Sequence, residues 1–306
     1  MRVVFMGTPE FAIPCLDALP AAGHEVAGVF TRPDKPKGRG YALTAPPVKR
    51  RAEELGIPVY QPDGVRDGAA LEILSSLAPD ILVVVAYGKI LPEEILTLPR
   101  YGCLNVHASL LPRHRGASPI QWAIVSGDRE SGVTTMRMDA GMDTGDIYEA
   151  AALPIGEEET AEQLHDRLSS LGAKLLCSTL AGLERGTLQA RPQPEEGVTY
   201  APMIQKEMGL LDFAKPAAVL HNLIRGFYPW PGTYTFLEGR RLRIHSARVV
   251  KEPGEAGRLT ISNGRMLAGC GEDSLQLLEI QPEGKKRMLA ADFLKGSRVK
   301  DGTPLG

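Results

Sequence analysis

Val3-Val-Phe-Met6, Val26-Ala-Gly-Val-Phe-Thr31 and Ile81-Leu-Val-Val-Val-Ala86 are the three runs that decide the fold. Each is short and continuously apolar, and helix-like stretches separate them. That is the pattern of parallel strands buried on both faces and joined by crossover helices. Between the second run and a helix starting near Pro46 and Pro47 lies Arg32-Pro-Asp-Lys-Pro-Lys-Gly-Arg-Gly-Tyr-Ala-Leu-Thr44. It is long for such a connection and studded with helix breakers, which predicts an exposed, mobile loop. Further on, Thr160 with Gln163 forms a capping pair, and Leu164, Leu168, Leu171 and Leu175 follow at spacings of three and four, predicting one long amphipathic helix. After Gly186 the chain turns polar, with Pro192, Pro194, Glu195, Glu196 and Pro202, and reads as a linker. Beyond it, Thr233–Leu237, Leu242–His245, Arg258–Ser262 and Leu275–Ile280 are strand-like pieces punctuated by Gly and Asn, as in a small β-barrel.

The expected fold class is α/β: an open, mostly parallel Rossmann-like sheet with helices on both faces, followed by a small C-terminal OB-like β-barrel. The expected boundaries are a first domain over 1–188, a linker over 189–203 and a second domain over 204–306. There is no internal repeat or low-complexity tract.

Composition narrows the function classes. With 43% hydrophobic and 24% charged residues, the 306-residue chain is a globular mixture with enough material for two cores. Its longest apolar run, Ile81 to Ala86, is far short of the roughly 20 residues of a membrane span. Gly7, Thr8 and Pro9 interrupt the start before a secretory signal can be laid out, so a cytoplasmic protein is expected. Cys15, Cys103, Cys177 and Cys270 lie far apart without a C-x-x-C pair, which points to buried thiols and to neither zinc nor a redox motif. The net charge of −2 hides an asymmetry: residues 201–306 carry 16 Lys/Arg against 11 Asp/Glu, and residues 1–200 carry 19 against 26. A basic second domain is compatible with a polyanionic partner.

An open α/β start invites a dinucleotide reading. Gly7-Thr-Pro-Glu-Phe11 lacks the later glycines of G-x-G-x-x-G, and Gly38-Arg-Gly40 sits in the wrong place, so NAD binding is rejected. Gly7 is then a tight turn at a strand end and Pro9 a first-turn helix residue.

The chemistry-bearing stretch is Cys103-Leu-Asn-Val-His-Ala-Ser-Leu-Leu-Pro-Arg-His-Arg-Gly116, followed by Asp139-Ala-Gly-Met-Asp-Thr-Gly-Asp146. Asn105 and His107 stand two apart, which on a strand places both on one face. Together they offer a hydrogen-bond donor for a developing oxyanion beside a group that carries protons near neutral pH. A carboxylate such as Asp143 would hold the imidazole and favour its charged form. A lone strand histidine is more often structural, and spacing alone leaves that alternative open.

The two segments together resemble the formyltransferase family that uses 10-formyltetrahydrofolate, with its N-x-H-x-S-L-L-P-x-x-x-G signature and downstream D-x-G-x-D-T-G-D loop. Supporting segments are Phe5-Met-Gly-Thr-Pro-Glu-Phe11, Gly28-Val-Phe-Thr-Arg-Pro-Asp34, Val84-Val-Ala-Tyr-Gly-Lys-Ile-Leu-Pro92, Ile224-Arg-Gly-Phe-Tyr-Pro-Trp-Pro231 and Gln281-Pro-Glu-Gly-Lys-Lys-Arg-Met288. The likeness covers nearly the whole chain and is strongest to family members that act on methionyl-tRNA. Departures are His114 where an aromatic residue is frequent, Ser118 for alanine and Phe213 for tryptophan. His114 is read as a surface or packing residue.

The resemblance implies formyl transfer from 10-formyltetrahydrofolate, as co-substrate, to the α-amine of initiator methionyl-tRNA. It implies catalytic roles for Asn105, His107 and Asp143 and folate binding by Ser109, Leu110, Leu111 and Pro112. Asp139 and Asp146 are expected to order their loop, and no metal is expected. Phosphate contacts are expected from Lys35, Lys37 and Arg39 in the long loop, Arg39 being favoured for the acceptor end. Arg32 and Lys49 to Arg51 extend that cluster. In the barrel, Lys285 and Lys286, with Arg240, Arg241, Arg243 and Arg287, supply further charge. A monomer is expected. One rival is a related formyltransferase acting on a small amine, such as an amino-sugar nucleotide or glycinamide ribonucleotide; the basic loop and second-domain motifs argue against it. The other is a non-catalytic nucleic-acid binder, which leaves Asn105, His107 and Asp143 unexplained.

Overall fold

The computed structural model describes residues 1–37, 42–66 and 68–306, and only the backbone at Lys37 and Ala42. The chain divides into two compact units: Met1–Pro119, Glu130–Leu153 and His165–Ala201 form the first, and Ile120–Arg129, Pro154–Leu164 and Pro202–Gly306 the second.

In chain order the first unit contains β1 (Arg2–Gly7), α1 (Ile13–Ala21), β2 (Glu25–Phe30), β3 (Lys35–Lys37), β4 (Ala42–Thr44), α2 (Pro47–Glu54), β5 (Val59–Tyr60), α3 (Ala69–Leu77), β6 (Ile81–Val85), α4 (Glu93–Leu96), β7 (Cys103–His107) and β8 (Arg115–Gly116). After α5 (Pro119–Val125) come β9 (Glu130–Arg137), β10 (Ile147–Pro154), α6 (Ala161–Glu184) and β11 (Tyr200–Ala201). Seven strands form one sheet in the order β10-β9-β7-β6-β1-β2-β5. The pairs from β7 through β6, β1 and β2 to β5 are parallel, and β9 lies antiparallel to β7.

The three apolar runs fall on β1, β2 and β6, and they are apolar throughout because helices cover both faces. Val4, Met6, Leu82 and Val84 pack with Ala70 and Leu74 of α3 and Ile95 of α4. On the other face Gly172 of α6 lets the helix come close: a Cβ there would lie 3.1 Å from Val106 and 3.8 Å from the Cys15 sulfur of α1. Thr160 and Gln163 cap α6 reciprocally, at 3.0 and 3.4 Å, and Leu164, Leu168 and Leu175 are buried along it.

The long loop after β2 contains structure that its composition concealed. Lys35 pairs with Thr44 and Lys37 with Ala42 in a two-stranded antiparallel arm. At its root the Asp34 carboxylate takes the Lys49 ammonium and the Gln61 amide, each within 2.9 Å.

The second unit carries α7 (Ala217–Gly226), then β12 (Thr233–Leu237), β13 (Arg240–Val250), β14 (Leu259–Ser262), β15 (Arg265–Gly269), β16 (Ser274–Pro282), β17 (Met288–Leu289) and α8 (Ala290–Gly296). The sheet runs β12-β13-β16-β15-β14, with β17 on β16, and the joins for which register is seen are antiparallel. Asn263 and Gly264 both have positive φ and turn β14 into β15, as a two-residue hairpin of that hand requires. Residues 303–306 close the sheet: Leu305 bridges Leu237 of β12, and Pro304 bridges Arg258 next to β14. Leu220 and Ile224 of α7 enter a core with Leu242, Ile244, Leu275 and Leu277. Buried Arg225 of α7 donates to the carbonyls of Gly156 and Glu159 at about 3 Å, fixing the 154–164 segment of this unit.

Candidate active site

Strand β7 alternates as its period requires. Cys103 sits among the α3 and α4 side chains, Val106 lies against α6, and Asn105 and His107 therefore share the face of Cys103. His107 ends the strand with its ring buried. Its Nε2 lies 3.0 Å from the carbonyl oxygen of His114, and its Nδ1 lies 3.7 Å from Asp143 Oδ2. A carbonyl only accepts, so Nε2 carries the hydrogen, and the nitrogen free to gain or lose a proton is Nδ1, facing the carboxylate. That carboxylate is fixed from another side by the N–H of Gly116, 2.8 Å from Oδ2.

Asn105 lies two residues before His107 on the same face of β7, and its side chain is half-buried. Its Oδ1 is buried and has no hydrogen-bond partner among the described residues. A buried carbonyl oxygen without a partner costs free energy unless a donor from a ligand or water completes it, so this position suits a polar group.

Two turns bring the remaining motif residues in. After His107 the chain reverses through Ser109–Arg113. The Ser109 hydroxyl donates to the Arg113 carbonyl at 2.6 Å, and the Thr134 hydroxyl donates to Ser109 O at 2.7 Å while accepting the Leu111 N–H. The Leu111–Pro112 peptide is cis. Ser109 and Leu111 are buried, whereas Leu110 and Pro112 keep partial exposure. The second turn carries Asp143 at φ +54. Asp139 organises it, its carboxylate accepting the Gly141 N–H and the Thr144 hydroxyl. Gly145 passes so close to Arg137 that a Cβ would overlap the Arg137 carbonyl.

The stretch after α6, expected as a linker, threads through this site. Arg191 exchanges backbone hydrogen bonds with Ile147 at 2.8 Å, and Tyr200 and Ala201 form β11, parallel to Arg115 and Gly116 of β8. Gln193 donates to the carbonyls of Asp143 and Gly145 and accepts from Arg115. The Thr199 hydroxyl accepts the His114 N–H at 2.8 Å, and neither Gln193 nor Thr199 stands out in the sequence. The only local sign is that Pro194 restricts Gln193 to extended backbone.

The basic residues divide into engaged and exposed. Lys49 is held by Asp34, Arg51 by Asp17 and Glu54, and Arg32 by the carbonyls of Tyr87 and Gly88. Lys35 is exposed on β3; the Lys37 side chain and all of Arg39 fall outside the described residues. In the second unit, Arg241 and Arg243 alternate with buried Leu242 and Ile244, so they share the outer face of β13. Their cross-strand neighbours there are Phe236 and Tyr234, and the Arg241 guanidinium lies 3.7 Å from the Tyr234 ring centre. Lys285 and Lys286 are exposed in the turn after β16, and Arg287 pairs with Glu279. Among the described residues no three His, Cys, Asp or Glu side chains converge as a metal would require, and no helix is long and apolar enough to cross a membrane.

Residues 1–180 match the formyl transferase family model, and residues 203–298 match the model of the formyl transferase C-terminal domain. A methionyl-tRNA formyltransferase of Geobacter sulfurreducens is 49% identical over 307 residues, covering 100% of this chain and 97% of that protein. One from Caldanaerobacter subterraneus is 49% identical with 100% of both chains covered. Among solved structures, the N-formyltransferase of Helicobacter canadensis, in complex with folinic acid and dTDP-3-aminofucose, superposes with a TM-score of 0.68 at 19% identity, covering 92% of this chain and 99% of that one. HypX of Aquifex aeolicus, in complex with tetrahydrofolic acid, gives 0.66 at 17% identity over 99% of this chain, which spans 50% of that protein. At those identities the two structures speak for the fold.

Proposed function

Because the chain belongs to the methionyl-tRNA formyltransferase family, we propose that it transfers the formyl group of 10-formyltetrahydrofolate to the α-amine of initiator methionyl-tRNA, giving N-formylmethionyl-tRNA for translation initiation. The observation that carries this reading is the approach of Asp143 to His107 Nδ1 at 3.7 Å, with Asn105 on the same strand face as His107. The folate supplies the formyl carbon. Asn105 donates through Nδ2 to the formyl oxygen as negative charge grows there, the work of an oxyanion donor. His107 takes the proton released by the amine at Nδ1 and returns one to the departing folate nitrogen, and Asp143 stabilises the imidazolium in between. A free α-amine has a pKa of about 7.7 to 8.0, so a neutral fraction is present without further activation.

Ser109, Leu110, Leu111 and Pro112 are assigned to the folate. Ser109 acts through the shape of the turn, its hydroxyl being bonded to Arg113, and Leu110 and Pro112 act through their partly exposed surfaces. Lys35, Lys37, Arg39, Lys285 and Lys286 are assigned to the tRNA phosphates, with Arg241, Arg243, Tyr234 and Phe236 offering an aromatic and cationic face of the kind single-stranded nucleic acid favours. On this reading residues 1–188 are catalytic, 189–203 join the domains and 204–306 hold tRNA. The protein works in the cytoplasm as a monomer.

The deciding experiment offers labelled 10-formyltetrahydrofolate with Met-tRNA, an amino-sugar nucleotide or glycinamide ribonucleotide as acceptor. Transfer to Met-tRNA is expected, and transfer confined to a small amine would overturn the assignment.

A further inference from the structure

Gln193 sits between Pro192 and Pro194 in the stretch that reads as a linker. Its Nε2 donates to the main-chain oxygens of Asp143 and Gly145, both at 2.8 Å, and its Oε1 accepts from Arg115 Nε at 3.1 Å and Nη2 at 2.6 Å. Two donors and two acceptor positions are what a primary amide has, and all four are used. Arg115 is bonded in sequence to Gly116, whose N–H holds Asp143 Oδ2 at 2.8 Å. The contacts close a ring: Gly116 to the Asp143 carboxylate, the Asp143 main chain to Gln193, Gln193 to Arg115, and Arg115 back to Gly116.

The ring grips Asp143 at both ends, and Asp143 needs it. At φ +54 its backbone occupies the left-handed region, where a residue other than glycine is held at a cost of order 1 kcal/mol or more and persists only if its surroundings impose it. The bonds to the carbonyls of Asp143 and Gly145 are side-chain contacts that impose it. Were the turn to relax, the carboxylate would move from its place 3.7 Å from His107 Nδ1.

We propose that Gln193 is a positioning residue for formyl transfer, acting through Asp143 by locking the turn that aims its carboxylate at His107. The inference rests on the proton-handling role proposed for His107 and Asp143. The Gln193 hydrogen bonds go to Arg115 and to main-chain oxygens rather than to those two side chains, and it is the donor half of its amide, toward Asp143 and Gly145, that matters for rate.

The test compares Gln193→Met, Gln193→Glu, Asp143→Ala and the double variant Asp143→Ala/Gln193→Met in the full chain, measuring kcat and both KM values for formyl transfer to Met-tRNA beside thermal unfolding. A misplacement of about 1 Å costs on the order of a hundredfold in rate. Gln193→Met is therefore expected to lose about 10- to 100-fold in kcat with both KM values within about threefold, and to add nothing in the Asp143→Ala background. Gln193→Glu keeps the acceptor for Arg115 but turns a carboxylate toward the two carbonyls, so it should fall as far as Gln193→Met. It also carries the comparison should Gln193→Met fail to fold. Wild-type kcat in Gln193→Met, rescue by Gln193→Glu, or a loss that multiplies with that of Asp143→Ala would overturn the inference and leave the catalytic reading standing. Wild-type turnover in Asp143→Ala would overturn both.

Discussion

The Thr199 hydroxyl accepts the main-chain N–H of His114 at 2.8 Å, and the carbonyl of that same His114 holds Nε2 of His107 at 3.0 Å. His114 itself has φ +56, so a residue far along the chain fixes an unusual backbone that presents a carbonyl to the imidazole. The tautomer of His107 is set by this relay rather than by the carboxylate, leaving Nδ1 to face Asp143.

Replacing His107, Asp143 or Asn105 by Ala is expected to lower kcat while the unfolding transition stays near that of the parent. A positioned acid or base contributes about 10² to 10⁴ in rate and an oxyanion donor about 10² to 10³. Steady-state turnover of each purified variant checks this, and near-parental turnover in any one removes that residue from the mechanism.

Gly116→Ala tests the geometry from the other side. Gly116 has φ +124, and a Cβ there would lie 2.7 Å from the Ala201 carbonyl. The substitution should separate β8 from β11 and withdraw the Gly116 N–H from Asp143. Activity is expected to fall by at least about tenfold, with a stability loss of about 1 to 3 kcal/mol by urea unfolding. Full activity would show that Asp143 does not depend on that bond.

Stability should decline on the alkaline side. Burial pushes the Cys15 and Cys103 thiols up to about 12 and Cys270 up to about 11, from an ordinary 9.0. A group whose folded pKa is raised stabilises fully below its unfolded pKa, and that contribution is lost as pH climbs toward the folded value. The window is therefore pH 9 to about 12. At pH 10.5 each of these thiols accounts for about 2 kcal/mol. Urea midpoints at pH 8, 9.5 and 10.5 read the effect, and a Cys103→Ala variant with an undiminished alkaline slope would contradict it.

Charge removal should separate the two substrates. Lys285→Ala/Lys286→Ala, and independently Arg39→Ala, are expected to weaken Met-tRNA binding without changing folate affinity. Each lost phosphate contact should flatten the slope of log affinity against log salt by about 1 or slightly less. Unchanged tRNA affinity at every salt concentration would take those side chains out of the interface.

What was legible in the sequence follows from what each pattern depends on. β1, β2 and β6 were readable because burial on both faces makes a strand apolar throughout, and α6 because its leucines repeat at the helical period. Asn105 and His107 were readable as neighbours because a strand's period is two. Gln193 and Thr199 were not, because their importance lies in hydrogen bonds to residues 48 or more positions away, and nothing periodic records those. The arm formed by Lys35–Lys37 and Ala42–Thr44 was hidden by Pro36 and by its brevity. Charge also says nothing of its partner: Arg32, Lys49 and Arg51 look available in the sequence and are engaged in the fold.

Residues 303–306 lie against the outer sides of two strands at once. Leu305 and Gly306 meet Leu237 and Phe236 of β12, and Thr303 takes the N–H of Leu259 at the start of β14. Those outer sides are the places where a second copy of the sheet would add itself strand to strand. The segment thus guards both edges against self-association: removing it would free the Phe236 carbonyl of β12 and the Leu259 N–H of β14 together, and the shortened protein is expected to aggregate before it unfolds.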